Sequence, residues 1–343
     1  MRIKYQILSL VLLTCCSSNQ FSDKEFKYKI VKLAEFEEDK VTPKLIDAGP
    51  KIKSPEMLLV FHDYLVFSDL AAPNEKLFFF DIQKNKVERT LLPYGRGSGK
   101  ILSIWEIFSG KRKNILFVHD LVQSKLIEIN IDSVLSTNYK YSREITLNGQ
   151  LTNLVSIEQI ADSLFVGTIF NTKGRLAYFD ETGNVSYKGF MLSNFDNESE
   201  YIYGHCLRGK LTTSGSNIAV GYFLADIVDI FNIKGDSIIS IHGPSLFWPS
   251  YDQKESKRRG ALVPRKDTRV AYLSMTSNND SIFCLMQGDE GNVILTFDWK
   301  GVPRKKYQIT EYSLQNIAAT ADGHLFGTTS ISTNSKLIFL KLK

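Results

Sequence analysis

The sequence predicts an all-β fold, a six-bladed β-propeller with four antiparallel strands per blade. A strand–turn–strand unit occurs six times, its copies recur every 43 to 64 residues, and convincing helical periodicity is confined to the N-terminus. In each copy a polar turn leads into a short apolar strand, anchored on Leu65, Ile115, Leu164, Ile218, Ile282 and Leu325. Ten to twelve residues further on, Leu77, Leu126, Leu176, Val228, Ile294 and Leu337 anchor a second strand. Such a sheet is apolar on both faces and buries them only against neighbouring blades around an axis, which is why this period in short strands marks a propeller.

The repeat accounts for its own turns. Three residues past the second anchor stand Phe80, Ile129, Phe179, Phe231, Phe297 and Leu340, each large and apolar. Asp81, Asn130, Asp180, Asn232 and Asp298 come next, and Asp or Asn there closes a turn on its own backbone. Gly183, Gly235 and Gly301 follow three residues later, where a type I turn with a bulge requires positive φ. A third strand is expected at 87–92, 143–147, 185–191, 237–241 and 305–309, and a further apolar stretch precedes each copy, as at 58–61 and 103–108. The longest interval exceeds the shortest by about half a blade, so it hides no seventh.

The sixth copy has only three strands before Lys343. Residues 26–33 alternate cleanly ahead of the first copy. They are expected to close the last blade by pairing with 337–342, which removes an exposed edge.

Ahead of that strand lies a targeting segment. Arg2 and Lys4 precede an apolar run at 7–13, and Leu13-Thr14-Cys15-Cys16-Ser17-Ser18 follows. The run is too short for a spanning helix, which needs about 20 residues. A Leu followed three residues later by Cys resembles the lipobox of bacterial lipoproteins. By that resemblance residues 1–15 are a signal peptide, Cys16 (or else Cys15) carries the lipid, 16–25 form a tether, and 26–343 form one propeller domain. Multiple acyl chains make such anchoring stable. Cys206 and Cys284 remain in the body of the chain. They read as buried free thiols, although an oxidising compartment would allow a disulfide.

The six repeats, the segment Tyr94-Gly95-Arg96-Gly97-Ser98-Gly99-Lys100 and the late Phe297-Asp298-Trp299-Lys300-Gly301-Val302-Pro303 resemble the TolB-like six-bladed propeller lipoproteins of Bacteroidetes. The likeness covers most of the mature chain. Family members often carry Gly-Pro-Gly-Glu where this chain has Gly97-Ser98-Gly99-Lys100. The resemblance implies the fold, a lipid anchor in the bacterial outer membrane, and recognition of partners or ligands at one face of the ring.

Composition and motifs narrow the chemistry. A net charge of +5, with basic and acidic residues interleaved, lacks the basic stripe of a nucleic-acid binder. Gly95-Arg96-Gly97-Ser98-Gly99-Lys100 lacks the phosphate-loop spacing and leads into a strand, so it reads as a tight inter-blade turn, with Arg96 and Lys100 able to contact an anion. The five histidines make no ligand spacing with one another or with cysteine. No metal or cofactor is expected, although calcium is not excluded, since scattered oxygen ligands leave no signature. The acidic run at 196–200 reads as a solvated loop. No nucleophile elbow is present.

Two long loops stand out as binding candidates, because ligands are usually met by loops on a rigid scaffold. Residues 243–269 contain Trp248 and Tyr251, then seven basic residues including Arg258 and Arg259 against three acidic ones. Residues 193–208 carry Tyr201 beside the acidic run. The expectation is a monomeric, lipid-anchored envelope module that binds a glycan or protein partner through Arg96, Lys100, Tyr201, Trp248, Tyr251, Arg258 and Arg259. Trp248, Tyr251, Arg258 and Arg259 are expected to be the most exposed of these. The alternative is a propeller lyase or hydrolase with an axial site, in which Glu106 and Glu158, the exceptions among otherwise apolar inner strands, form an acid–base pair.

Overall fold

The computed structural model describes residues 27–49, 52–69, 71–134, 136, 141, 143–170, 173–189, 204–206, 208–236, 238–288, 291–329 and 335–342. The expected leader, Cys15, Cys16, the tether and Tyr201 lie outside the described residues.

The chain begins with three short strands, β1 (Lys27–Ile30), β2 (Glu37–Lys40) and β3 (Pro43–Ile46). Blade 1 follows as β4 (Pro55–Phe61), β5 (Tyr64–Asp69), β6 (Glu75–Asp81) and β7 (Lys86–Pro93). Blade 2 comprises β8 (Glu106–Ser109), β9 (Ile115–Asp120), β10 (Lys125–Asn130) and β11 (Arg143–Thr146). In blade 3 the strands are β12 (Leu154–Ala161), β13 (Leu164–Ile169), β14 (Leu176–Asp180) and β15 (Val185–Lys188). Blade 4 holds β16 (Gly209–Ser214), β17 (Asn217–Tyr222), β18 (Ile227–Asn232) and β19 (Ile238–His242). Blade 5 holds β20 (Tyr272–Ser277), β21 (Ser281–Gly288), β22 (Gly291–Asp298) and β23 (Pro303–Ile309). Blade 6 contributes β24 (Leu314–Ala319), β25 (Leu325–Thr329) and β26 (Leu337–Leu340), and β3 is its outermost strand. Blades 1 to 5 each contain a four-stranded antiparallel meander, as the repeat predicts, and blade 6 is four-stranded through β3.

The ring is closed from the N-terminal end of the chain, but by a later segment than residues 26–33. β3 runs antiparallel to β26, with Pro43 opposite Leu340 and Ile46 opposite Leu337. β1 instead lies parallel along β19 of blade 4, from Lys27 opposite Ile239 to Ile30 opposite His242. β2 adds in parallel to β23 of blade 5. Alternation alone suits any free outer edge, so it does not choose the blade. The choice is made by what flanks β1: the Val31 amide donates to the His242 carbonyl at 2.8 Å, and Phe36 packs edge-on against Phe297 with ring centroids 5.3 Å apart.

Among the described residues the buried apolar side chains fall into six clusters, one at each junction between neighbouring blades. The cluster between blades 6 and 1 joins Phe326 and Leu337 to Leu65, Phe67, Phe78 and Phe80, so the ring is closed by packing as well as by pairing. Every second-strand anchor and every large residue three positions beyond it is buried. One first-strand anchor departs from expectation. Leu164 is 36% exposed, and its neighbour Phe165 takes the core position.

The turn chemistry is that of the repeat. Asp180 Oδ1 accepts from the amides of Thr182 and Asn184, Asn232 Oδ1 from Lys234 and Asp236, and Asp298 Oδ1 from Lys300 and Val302. Gly183, Gly235 and Gly301 then take φ of 88°, 73° and 71°, a region that other residues enter at a cost. These turns and those joining each innermost strand to the next lie on one face, here the turn face. The connections between blades lie on the opposite, linker face. Buried carboxylates hold those connections: Asp120 accepts from the amides of Leu102 and Gln123, and Asp226 accepts from the Leu246 amide and the Tyr272 hydroxyl. Cys206 and Cys284 are buried and form no disulfide among the described residues, as read from the sequence.

Candidate functional site

The six inner strands converge on an axial cavity of about 280 Å³. Its lining reaches Gly110, Lys111, Ser277 and Ala319, at the ends of the inner strands next to the turn face. Although these strands read as largely apolar, hydroxyls and amides tie adjacent blades together around the axis. Thr212 Oγ1 pairs with Ser277 Oγ at 2.7 Å. The amides of Ile317 and Ala319 donate to Ser274 Oγ and Thr276 Oγ1 at 3.2 and 3.1 Å.

Charge gathers on one side of the axis, where blades 2, 3 and 4 meet. Glu106, at the start of β8, receives hydrogen bonds of 2.6 Å from Ser156 Oγ and from the Ile157 amide, and Lys210 Nζ lies 3.4 Å from its Oε1. Burial pushes the Glu106 carboxyl above its ordinary range, opposed by Lys210 and by these donors. Glu158 lies on the next inner strand. Burial first, and the charge of Glu106 second, push its carboxyl well above the usual range, against the pull of Lys111. His119 sits opposite Glu106 across the β8–β9 ladder and is 1% exposed, and its Nδ1 has no hydrogen-bond partner among the described residues. Burial, reinforced by Lys210, lowers this imidazole to about 4. Lys210 also rides over the Trp105 ring, 6.0 Å from its centroid. Glu106 and Glu158 are legible in the sequence as charges on apolar strands. Lys210 is not, because a lysine next to Gly209 at a strand start reads as surface.

The loop candidates divide. Arg96 and Lys100 are exposed on a turn that is itself built into blade 2. Gly99 N donates to Glu144 Oε1 at 2.8 Å, Lys125 Nζ reaches the Gly97 carbonyl at 3.1 Å, and a Cβ at Gly99 would meet the Tyr141 ring at 2.8 Å. That is the tight inter-blade turn expected. It stands at the junction of blades 1 and 2, whereas residues 243–269 stand at the junction of blades 4 and 5. In a ring of six these junctions are diametrically opposed, so the structure puts the two groups on one face but does not bring them together.

Residues 243–269 are a folded element. Their helix α1 (Gln253–Arg259) is capped by Asp252, whose side chain accepts from the Glu255 amide, and by Gly260 in the left-handed conformation, the paired end signals of a short stable helix. Ser256 Oγ accepts from the Val263 amide at 2.9 Å, and the Arg269 guanidinium stacks on Phe247 at 4.4 Å. Arg258 and Arg259 project into solvent, 64% and 60% exposed, each paired with Glu255. Tyr251 corrects the expectation of exposure. It is 7% exposed and belongs to the core between blades 3 and 4, at a single backbone bridge to Pro264. Trp248 is half-buried against the same core, edge-on to His242 at 5.2 Å. Beside the insert lies a second cavity of about 240 Å³, lined by Leu33, Pro244, Arg269, Gln287 and Lys306.

Among the described residues no group of three or more His, Cys, Asp and Glu is placed to hold a metal, and no helix is long and apolar enough to cross a membrane.

The family described as TolB-like 6-blade propeller-like matches residues 35–317. The chain belongs to this family. None of the curated proteins matches it. Among solved structures, this TolB-like propeller is similar to a Bacteroides fragilis protein described as exported, at 13% identity and a TM-score of 0.60, covering 93% of this chain and 99% of that one. A member of the DUF4221 family from Bacteroides vulgatus is 12% identical with a TM-score of 0.59, over 89% and 97% of the two chains. A streptogramin B lyase is 10% identical with a TM-score of 0.51, over 89% and 98%. At these identities the likeness is one of fold alone.

Proposed function

We propose that this TolB-like propeller is an exported, lipid-anchored envelope module that binds a glycan or protein partner through its linker face. The observation that carries the reading is the capped helix α1, which holds Arg258 and Arg259 in solvent, on an insert whose two ends line the cavity that contains Arg269 and Lys306. Charged side chains on a folded insert lose less freedom on binding than those on a loose loop, and arginine pairs well with carboxylate and sulfate groups. Arg96 and Lys100, across the ring, favour a partner broad enough to span the face. The envelope location is supported by the leader with its lipobox at Cys16, and by the neighbour described as exported. β1 runs parallel to β19, so it begins on the turn-face side. An anchor leading into it leaves the linker face turned away from the membrane. The propeller acts as a monomer.

The test is affinity for an anionic polysaccharide such as heparin, measured by calorimetry on wild type and on Arg258→Glu with Arg259→Glu. Loss of at least about tenfold in affinity is expected, in line with charge-assisted hydrogen bonds of ~1.5–3 kcal/mol. Equal affinity of the two proteins removes the linker-face arginines from the reading.

A further inference from the structure

We propose that the axial cavity is a second, independent binding site, which takes a small hydroxylated carboxylate of monosaccharide size or less. Its volume of about 280 Å³ lies just under the roughly 300–1,000 Å³ of drug-sized ligand sites, and this sets the size of the ligand.

Its chemistry is set by which charges are already spent. Glu106 is committed to three donors, Ser156 Oγ, the Ile157 amide and Lys210 Nζ. Its negative charge is offset by Lys210, whose ammonium keeps two further N–H groups to offer. Glu158 has no hydrogen-bond partner and no ion pair within 4 Å among the described residues, and it faces the cavity. Two carboxyls that sense one another in a desolvated site do not both ionise, and the proton stays on the one with fewer donors. Glu158 is that one. The balance facing the cavity is then Lys111 and Lys210 against Glu106 alone, an excess of one positive charge together with an acid O–H.

Two ammonium groups and a carboxylic acid present donors to an incoming carboxylate. The Asn316 amide, which lines the opposite wall and has no partner among the described residues, and the hydroxyls of Ser274 and Thr276, which each accept one amide and keep a proton to give, suit ligand hydroxyls. Lys210 is only 23% exposed and Glu106 12%. An anion at this point is therefore poorly screened, which strengthens its attraction to Lys210.

Isothermal calorimetry with gluconate and glucuronate, against glucose and glucosamine as neutral and cationic controls, tests the site. Wild type is expected to bind the acids and neither control. Lys210→Met is expected to lose about tenfold or more in affinity. Glu158→Gln, which keeps a donor and no charge, is expected to stay within about threefold of wild type. Thermal melts and circular dichroism of each variant establish that it is folded. The Arg258→Glu, Arg259→Glu protein should bind the acids as wild type does, so failure of the linker-face reading leaves this one standing. Absence of binding by either acid at 10 mM, or unchanged affinity in a folded Lys210→Met protein, overturns the proposal. Binding of glucosamine that disappears in Glu158→Gln overturns it too, since Glu158 would then be an anion that receives a cation.

Discussion

Glu106 crosses from blade 2 to blade 3 and accepts a hydrogen bond of 2.6 Å from Ser156 Oγ. Ser156 Oγ in turn accepts the Leu211 amide of blade 4 at 3.1 Å, so one short chain of polar contacts ties three blades at the axis. Glu106 and Leu211 line the axial cavity and Ser156 is fully buried behind it, and at such buried positions an unmet partner costs more than the bond itself returns. Replacing Glu106 with Ala strands the Ile157 amide and Lys210. The expected loss is about 2–3 kcal/mol in urea unfolding at pH 7, and Glu106→Gln, which still accepts one hydrogen bond, should recover part of it. A loss under about 0.5 kcal/mol would mean that the chain of contacts is incidental.

Glu158 sets a pH dependence with a definite sign. Its folded carboxyl titrates well above its unfolded value of 4.5, because of burial and then Glu106. The folded state thus holds this proton where the unfolded state has released it, and stability declines as pH rises above about 4.5 toward the folded value. Glu158→Gln has no proton to lose. Urea midpoints of wild type and variant should coincide near pH 4 and separate in favour of the variant by pH 8. A variant less stable than wild type at pH 8 would show that the charged carboxylate is the form the fold prefers.

The closing ladder makes a register prediction. Lys44 lies opposite Phe339 in the β3–β26 pair. Cysteines at directly opposed antiparallel positions fall within the Cα separation that a disulfide spans. Lys44→Cys with Phe339→Cys should oxidise nearly completely and raise the melting temperature. Lys29→Cys with Phe339→Cys should stay reduced, because Lys29 lies opposite Ile241 in blade 4. The reverse result would restore residues 26–33 as the closing strand.

That comparison also shows where the sequence stops being informative. The six blades are legible because their signals are local. An apolar strand, Asp180 or Asn232 turning the chain on its own side chain, and Gly183 or Gly235 at positive φ each operate within a few residues. The destination of β1 is not local. Alternation at 26–33 describes an edge-seeking strand and nothing about which edge, and Phe36 meets Phe297 only once blade 5 exists. The burial of Tyr251 is not legible for the same reason, since an aromatic in a basic loop gives no sign that it joins the core between blades 3 and 4. At the axis, Glu106 and Glu158 are visible because carboxylates on apolar strands are out of place. Lys210 becomes part of that group only when blades 2 and 4 are brought to either side of Ser156.

The most direct test of the central claim, that the linker face is the recognition surface, is photo-crosslinking in the native envelope. A benzophenone amino acid is placed at Arg258 on the linker face, or at Lys234, exposed on the turn face. One discrete adduct is expected from position 258, weakened by Arg259→Glu, and none from 234. Adducts from 234 alone, or equal adducts from both positions, would contradict it.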